Sequence, residues 1–339
     1  FRFQVSGFRF QVSGFRFQVS GKAIDVVAPD LIRGLLSVGA FGWEVPARGP
    51  GRRCASVGVW LLVYALGMSS TVRFPFGMVD IHGHWLPGVD DGAKSLEMSL
   101  RMARIAVDDG ITTALATPHH LNGIYKTGAE RVREEVAALR SEFARAGIEL
   151  DLLPGSECHL VPELPRELAE GRAMTVADRG KAVLVELPVH SIPVGASTIL
   201  EEILGLGLSP IIVHPERNSE LARKPDRLAE WVEMGCLAQV TARSCIGKFG
   251  DLARDASKEM VTRGMIHFVA SDTHRDRRRV PDMSYGRSVI EKWTNSEVGK
   301  LLAETYPRDL VLGRELELGA LDEALPKRRR GWLRKMFGA

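Results

Sequence analysis

Hydrophobic and polar positions alternate regularly only from Met78 onward. Short β-rich runs fall at Val79–His82, Thr112–Thr117, Glu149–Pro154, Ala182–Leu187, Pro210–His214, Leu237–Thr241 and Ile266–Ser271. Helical stretches lie between or after them: Ser95–Asp109, Ala129–Ala146, Ala196–Leu206, Pro225–Met234, Leu252–Arg263 and Gly286–Lys292. Strands alternating with helices at roughly 30-residue spacing predict parallel strands in βαβ units. No GxGxxG or GxxxxGK[ST] follows any run, which removes support for a nucleotide-binding open sheet. A βα barrel is the better fit, because of the polar residues that end the strands.

Those strand ends carry the chemistry. The first run leads to His82, His84 and Asp91, the second to His119 and His120, and the third to Glu157. The fourth ends in Glu186, the fifth in His214, and the seventh in Asp272 and His274. In a βα barrel all these ends share one face, where the active sites of such barrels lie. In His82-Gly83-His84 and Asp272-Thr273-His274, alternate residues of an extended segment point the same way and can reach one ion. Imidazoles mixed with carboxylates suit several divalent metals. His120 neighbours His119 but faces oppositely. His159 and His190 read as rim residues, His267 as packed within its strand, and Asp90 as the cap of a turn.

Upstream of Met78 the pattern fails. FRFQVSG occurs three times in the first 21 residues; glycine in each copy weakens a helix, and FRFQV prefers an extended chain. The repeat reads as translated repetitive DNA ahead of the true start. Ala55–Met68 is an apolar run of fourteen, short for a bilayer span and similar in length to a signal-peptide core. Residues 1–77 are therefore expected to be a non-native or disordered extension, 78–315 the functional domain, and 316–339 a basic amphipathic tail.

Composition and charge refine this outline. Apolar residues at 45% with aromatics at 7% fit a soluble α/β chain. Residues 1–77 hold nine Lys/Arg against three Asp/Glu and residues 327–339 six against none, so the +3 of the whole chain leaves −9 for residues 78–326. An acidic domain is a poor nucleic-acid binder and a good host for divalent cations. The four cysteines have no CxxC spacing, which suits a reducing cytoplasm. A thiolate phosphatase needs Arg six positions after its Cys; those positions hold Trp60, Leu164, Ala242 and Asp251.

The motifs DIHGHWLPGVDDGAKS, ATPHHLNGIY, LPGSE, LVELP, VHPERN, QVTARSCIGKFG and ASDTH, in this order, resemble the PHP (polymerase and histidinol phosphatase) superfamily. Within it they are most similar to the capsular-polysaccharide-type (CpsB/YwqE-like) bacterial tyrosine phosphatases. The resemblance spans Met78 to about Glu315. It implies a distorted seven-stranded (βα)7 barrel with three divalent ions, usually manganese, with iron or zinc as alternatives. It implies His82, His84, Glu157 and Asp272 at the first metal, and Glu157, Glu186 and His214 at the second. Asp91, His119 and His274 would hold the third. Arg217 and Arg279 match the family's substrate-phosphate arginines, although Arg275, Arg277 and Arg278 lie close to the second of these. HGH replaces the more usual Ser or Cys between the histidines, and TARS replaces TAGS, neither of which removes a ligand.

The implied substrate is phosphotyrosine in a protein, in particular a membrane-associated bacterial tyrosine kinase governing exopolysaccharide export. Clustered cations would neutralise the phosphate dianion and lower the pKa of water for attack on phosphorus, while Arg217 steadies the equatorial oxygens. The basic run from Lys327, with Trp332, Leu333, Met336 and Phe337 interleaved, suits the anionic inner face of a membrane. Two other readings stay open: a small-molecule phosphatase such as histidinol phosphatase, and a non-catalytic metal-binding docking module.

Overall fold

The computed structural model describes the backbone of residues 2–5, 8–11, 15–19 and 22–26, and residues 77–326 in full. The chain divides into two units, Phe1–Phe74 and Pro75–Ala339. In the first, β1 (Arg2–Val5) pairs antiparallel with β2 (Phe8–Gln11), and β3 (Phe15–Val19) with β4 (Lys22–Val26). The FRFQV repeats thus realise their extended preference as hairpins. The apolar run Ala55–Met68 lies outside the described residues, as does the basic run from Lys327.

In the second unit each of the seven expected runs holds a strand: β5 (Met78–Asp80), β6 (Ile111–Ala116), β8 (Asp151–Pro154), β10 (Ala182–Glu186), β11 (Ser209–Val213), β12 (Leu237–Thr241) and β13 (Phe268–Ala270). Two short strands were not anticipated, β7 (His119–His120) and β9 (Glu157–His159). The pattern conceals them because each directly continues a longer run after a brief break, Thr117–Pro118 and Gly155–Ser156. All strand-to-strand pairings described in this unit are parallel, and they form an α/β fold of two sheets, β5-β6-β8 and β13-β12-β11-β10-β9-β7. The described strands are therefore not assigned to one closed seven-stranded barrel. An isolated parallel bridge, Gly83 to Thr273, joins the chain beyond β5 to the chain beyond β13.

The six expected helices form where the 3.6-residue period predicts them, whereas Leu164–Ala169, Ser219–Arg223 and the helical segments between Ser296 and Val311 were not anticipated. In Leu96–Asp108, Ser95 is the extended N-cap, its hydroxyl accepts the Met98 N–H, and Met102, Ala103 and Ala106 are buried. Gly110 at φ 88° then turns the chain into β6, a conformation that favours glycine. The strands β10, β11 and β12 are buried along nearly their whole length, as expected where helices cover parallel sheets. The C-terminal boundary corrects one expectation. Residues 316–326, assigned to the tail, pack onto the domain: Gly319–Ala324 is a helix, and Leu321 and Leu325 belong to the core. Among the described residues no helix is long and apolar enough to cross a membrane.

Candidate metal and phosphate site

Parallel strands deliver their C-terminal ends to one edge, and that edge gathers residues spread over nearly two hundred positions. Glu157, at the start of β9, is the hub. Its Oε1 lies 2.7 Å from His214 Nε2, and its Oε2 lies 3.3 Å from His82 Nε2, 3.2 Å from His84 Nε2 and 3.0 Å from His119 Nδ1. Asp272 Oδ1 lies 3.5–3.6 Å from His82, His84 and His274. Asp91 Oδ1 lies 3.4 Å from both His119 and His274. Glu186 Oε2 lies 3.6 Å from His119 and 3.3 Å from His159.

Three groups have donor atoms close enough for a shared ion: His84 with Asp91, His119 and His274; His82 with His84 and Glu157; and His119 with Glu157 and Glu186. Seven of the nine residues singled out as ligands fall in these groups, with some regrouping, and Asp272 and His214 adjoin them through the contacts given above. His84 joins the Asp91 set, and His119 rather than His214 stands with Glu186.

Local backbone geometry aims these groups. His214 (φ 36°) directly follows β11 and Asp272 (φ 50°) follows β13, both in the left-handed region that costs a non-glycine residue energy. Leu121 and Arg279, also at positive φ, flank the same mouth. Such outliers cluster where function constrains the chain.

A supporting shell escaped the sequence reading. His82 Nδ1 lies 2.9 Å from Gln239 Oε1, His84 Nδ1 2.6 Å from Asp90 Oδ2, and His274 Nδ1 3.1 Å from the Asp272 carbonyl. Each partner can accept a hydrogen bond from Nδ1–H, an arrangement that in the neutral ring turns the Nε2 lone pair toward the nest, as ligating histidines require. Asp90 does cap the turn, accepting the Gly92 N–H at 2.8 Å, but it also orients His84. A buried glutamine facing inward from β12 was the available signal for Gln239.

The electrostatics suit cations. Burial pushes the Asp272 carboxyl up, yet Arg279, Arg217 and His82 outweigh it and hold the group well below the ordinary range. Burial likewise opposes ionisation of Glu157, and His82, His119 and His214 hold it ionised. His84 is driven well up against its own burial by Asp90, Asp272 and Glu157, and His119 to about 10 against its burial by Asp91 and Glu157. Protons here balance carboxylate charge that divalent ions would otherwise balance. Buried His82 Nε2, His84 Nε2, His119 Nδ1, Glu157 Oε2, Asp91 Oδ1 and Asp272 Oδ1 have no hydrogen-bond partner among the described residues. Unsatisfied buried donors and acceptors are costly, and these converge, so the residues fit a metal cluster.

Both candidate arginines meet the same carboxylate. Arg217 hydrogen-bonds Asp272 Oδ2, and Arg279 Nη2 donates to that oxygen at 2.5 Å. The Arg275–Arg279 run divides by contact. Arg275 is bound to the carbonyls of Asp91, Gly92 and His274, while Arg277 and Arg278 are exposed and make no hydrogen bond or ion pair among the described residues.

The family description "Capsular polysaccharide synthesis, CpsB/CapC" matches residues 78–311. The chain belongs to this family. Tyrosine-protein phosphatase YwqE of Bacillus subtilis is 38% identical over 227 residues, 67% of this chain and 89% of that protein. Tyrosine-protein phosphatase CpsB of Streptococcus pneumoniae is 28% identical over 240 residues, 69% of this chain and 98% of that one. A crystal structure from work on YwqE and CpsB, described as unique metal-dependent tyrosine phosphatases, aligns with a TM-score of 0.68 at 37% identity, covering 70% of this chain and 96% of that chain.

Proposed function

We propose that residues 78–326 hydrolyse phosphotyrosine in proteins with the help of divalent metal ions. One observation carries the reading: Asp272 turns one oxygen to the histidines of the donor nest and the other to Arg217 and Arg279, so a cation site and two phosphate-binding guanidinia share one carboxylate. Divalent ions in such a nest supply Lewis acidity toward phosphoryl oxygen and a nucleophile at neutral pH. The donor groups His84 with Asp91, His119 and His274, His82 with His84 and Glu157, and His119 with Glu157 and Glu186, with Asp272 and His214 beside them, would hold up to three of them, manganese first among the candidates.

The chain's own contribution is placement and charge. Arg217 and Arg279 offer planar cationic forks that match phosphate oxygens in pairs. As charge builds on the equatorial oxygens, preorganised guanidinia stabilise it without reorganising. A phenol leaving group, with a pKa of about 10, departs with little proton assistance. The two sheets support a further reading as a distorted seven-stave barrel: β6 with β7 and β8 with β9 act as two interrupted staves, and the Gly83–Thr273 bridge joins first to last.

The physiological substrate on this reading is a membrane-associated bacterial tyrosine kinase of capsule or exopolysaccharide synthesis, met at the cytoplasmic face. The basic run from Lys327 would hold the enzyme there. Co-sedimentation with anionic vesicles, lost on removing residues 327–339, tests that part. The main test assays the full chain on a phosphotyrosine peptide and on histidinol phosphate, with Mn²⁺ and with EDTA. Turnover of the peptide that EDTA abolishes and Mn²⁺ restores is the expected result. Preference for histidinol phosphate would move the assignment to a small-molecule phosphatase, and metal binding without turnover to a docking module.

A further inference from the structure

Phe249 has no place in the apolar core. Its ring is half-buried at the mouth, and it is absent from the hydrophobic cluster that unites the strands and helices of the domain. What the ring meets instead is charge. The Arg217 guanidinium carbon lies 4.6 Å from the ring centroid and that of Arg279 lies 5.9 Å away. Both distances fall within the roughly 6 Å over which a ring face attracts a cation.

The turn that presents Phe249 is fixed by its own sequence. Gly247 (φ 77°) and Gly250 (φ 93°) bracket it in conformations that favour glycine. Gly247 N donates to Ser244 O, Lys248 N to Arg243 O and Gly250 N to Gly247 O, which closes the turn on the short helix after β12. Two like charges converge on one oxygen of Asp272 and repel each other. A negative ring face beside both offsets that repulsion and limits the rotamers each long side chain can take.

We propose that Phe249 is a positioning residue that orients the Arg217–Arg279 pair for binding the substrate's phosphoryl group. The inference rests on the phosphatase reading for its purpose, but anion binding tests it separately. Phe249→Leu keeps apolar bulk and loses the ring face, whereas Phe249→Tyr keeps the face.

The measurement is titration of inorganic phosphate into the full-length Mn²⁺-loaded protein by calorimetry, alongside KM and kcat on a phosphotyrosine peptide, melting temperature and metal content. The expected result is that Phe249→Leu weakens phosphate binding by about tenfold. KM should rise by a similar factor with kcat much less affected, and Phe249→Tyr should restore both. Melting temperature and metal content should stay near those of the unaltered protein, because the ring lies off the core and off the metal ligands. Phosphate binding that depends on the ring, in a protein that hydrolyses no phosphotyrosine, would support this inference and end the phosphatase reading. Phosphate affinity unchanged in Phe249→Leu, or equal loss in the Leu and Tyr variants, would overturn it.

Discussion

Asp90 Oδ2 lies 2.6 Å from His84 Nδ1 and accepts the His119 N–H at 3.1 Å, so one buried carboxylate orients one imidazole of the nest and anchors the backbone of another. Outer partners of this kind fix the tautomer of a ligating histidine and raise its basicity. Asp90→Asn keeps the shape and removes the charge. Affinity for Mn²⁺ is expected to fall about 10–100-fold, with the far-ultraviolet circular dichroism unchanged. His82→Ala and Asp272→Ala, which remove nest donors directly, should lose more. Metal titration of the three proteins checks the ranking, and unaltered affinity in Asp90→Asn would show that His84 needs no orienting partner.

The arginines separate by position. Arg217→Lys retains the charge and loses the fork, and a point charge cannot bind two oxygens in one plane. Its kcat/KM on phosphotyrosine peptide should drop by about 10²-fold, on the scale of losing one preorganised charge-stabilising donor. Arg279→Ala should behave similarly, and Arg277→Ala and Arg278→Ala should stay close to the unaltered protein, since neither side chain contacts the nest. Metal content measured on each preparation guards against indirect effects. Near-normal turnover in Arg217→Lys would reduce Arg217 to a structural partner of Asp272.

How much of this was legible beforehand depends on what each feature obeys. Seven strands and the main helices follow from short-range periodicity, so they could be placed to within a few residues. The candidate ligands could be expected at one edge because strand C-termini converge in any parallel βα fold, whatever the sheet's detailed closure. β7 and β9 could not, since two or three residues carry no period and the strands exist only through pairing with each other and with β10. The regrouping of His84 and His119 reflects rotamer and backbone choices, such as the left-handed His214, that neighbours impose. Phe249 drew no separate reading from the sequence; only three dimensions reveal the two guanidinia against it. The helix at Gly319–Ala324 was lost inside a segment whose charge suggested a tail.

Thiol chemistry has no support among the described residues. Burial pushes the Cys158 and Cys245 thiols far up and that of Cys236 to about 12, so none supplies a thiolate near neutrality. Cys158→Ala and Cys245→Ala should retain turnover per folded molecule, although each leaves a small cavity. Iodoacetamide applied to the native protein should leave its phosphatase rate unchanged. Stoichiometric inactivation that maps to one of these cysteines would contradict the metal-dependent reading.

His267, just before β13, gives a pH signature away from the nest. Its side chain is 3% exposed, and Nδ1 accepts the Ala238 N–H at 3.1 Å, which requires the neutral ring. Burial lowers its pKa from 6.5 to about 4. Between these values the unfolded chain takes up a proton that the folded chain refuses, so the unfolded state binds more protons and stability rises with pH. The contribution is complete above about 6.5, shrinks as pH falls, and by about 4 has cost on the order of 3 kcal/mol. Asn at this position can offer its side-chain oxygen to the Ala238 N–H and does not titrate. Urea unfolding of the unaltered protein and of His267→Asn, from pH 7.5 to 4.5 in one buffer series, isolates the residue because every other group is common to both. The unaltered protein should lose stability faster on acidification, with the gap opening below about 6.5. Parallel curves would mean that His267 gains its proton as readily folded as unfolded, and that the bond to Ala238 does not hold the ring neutral.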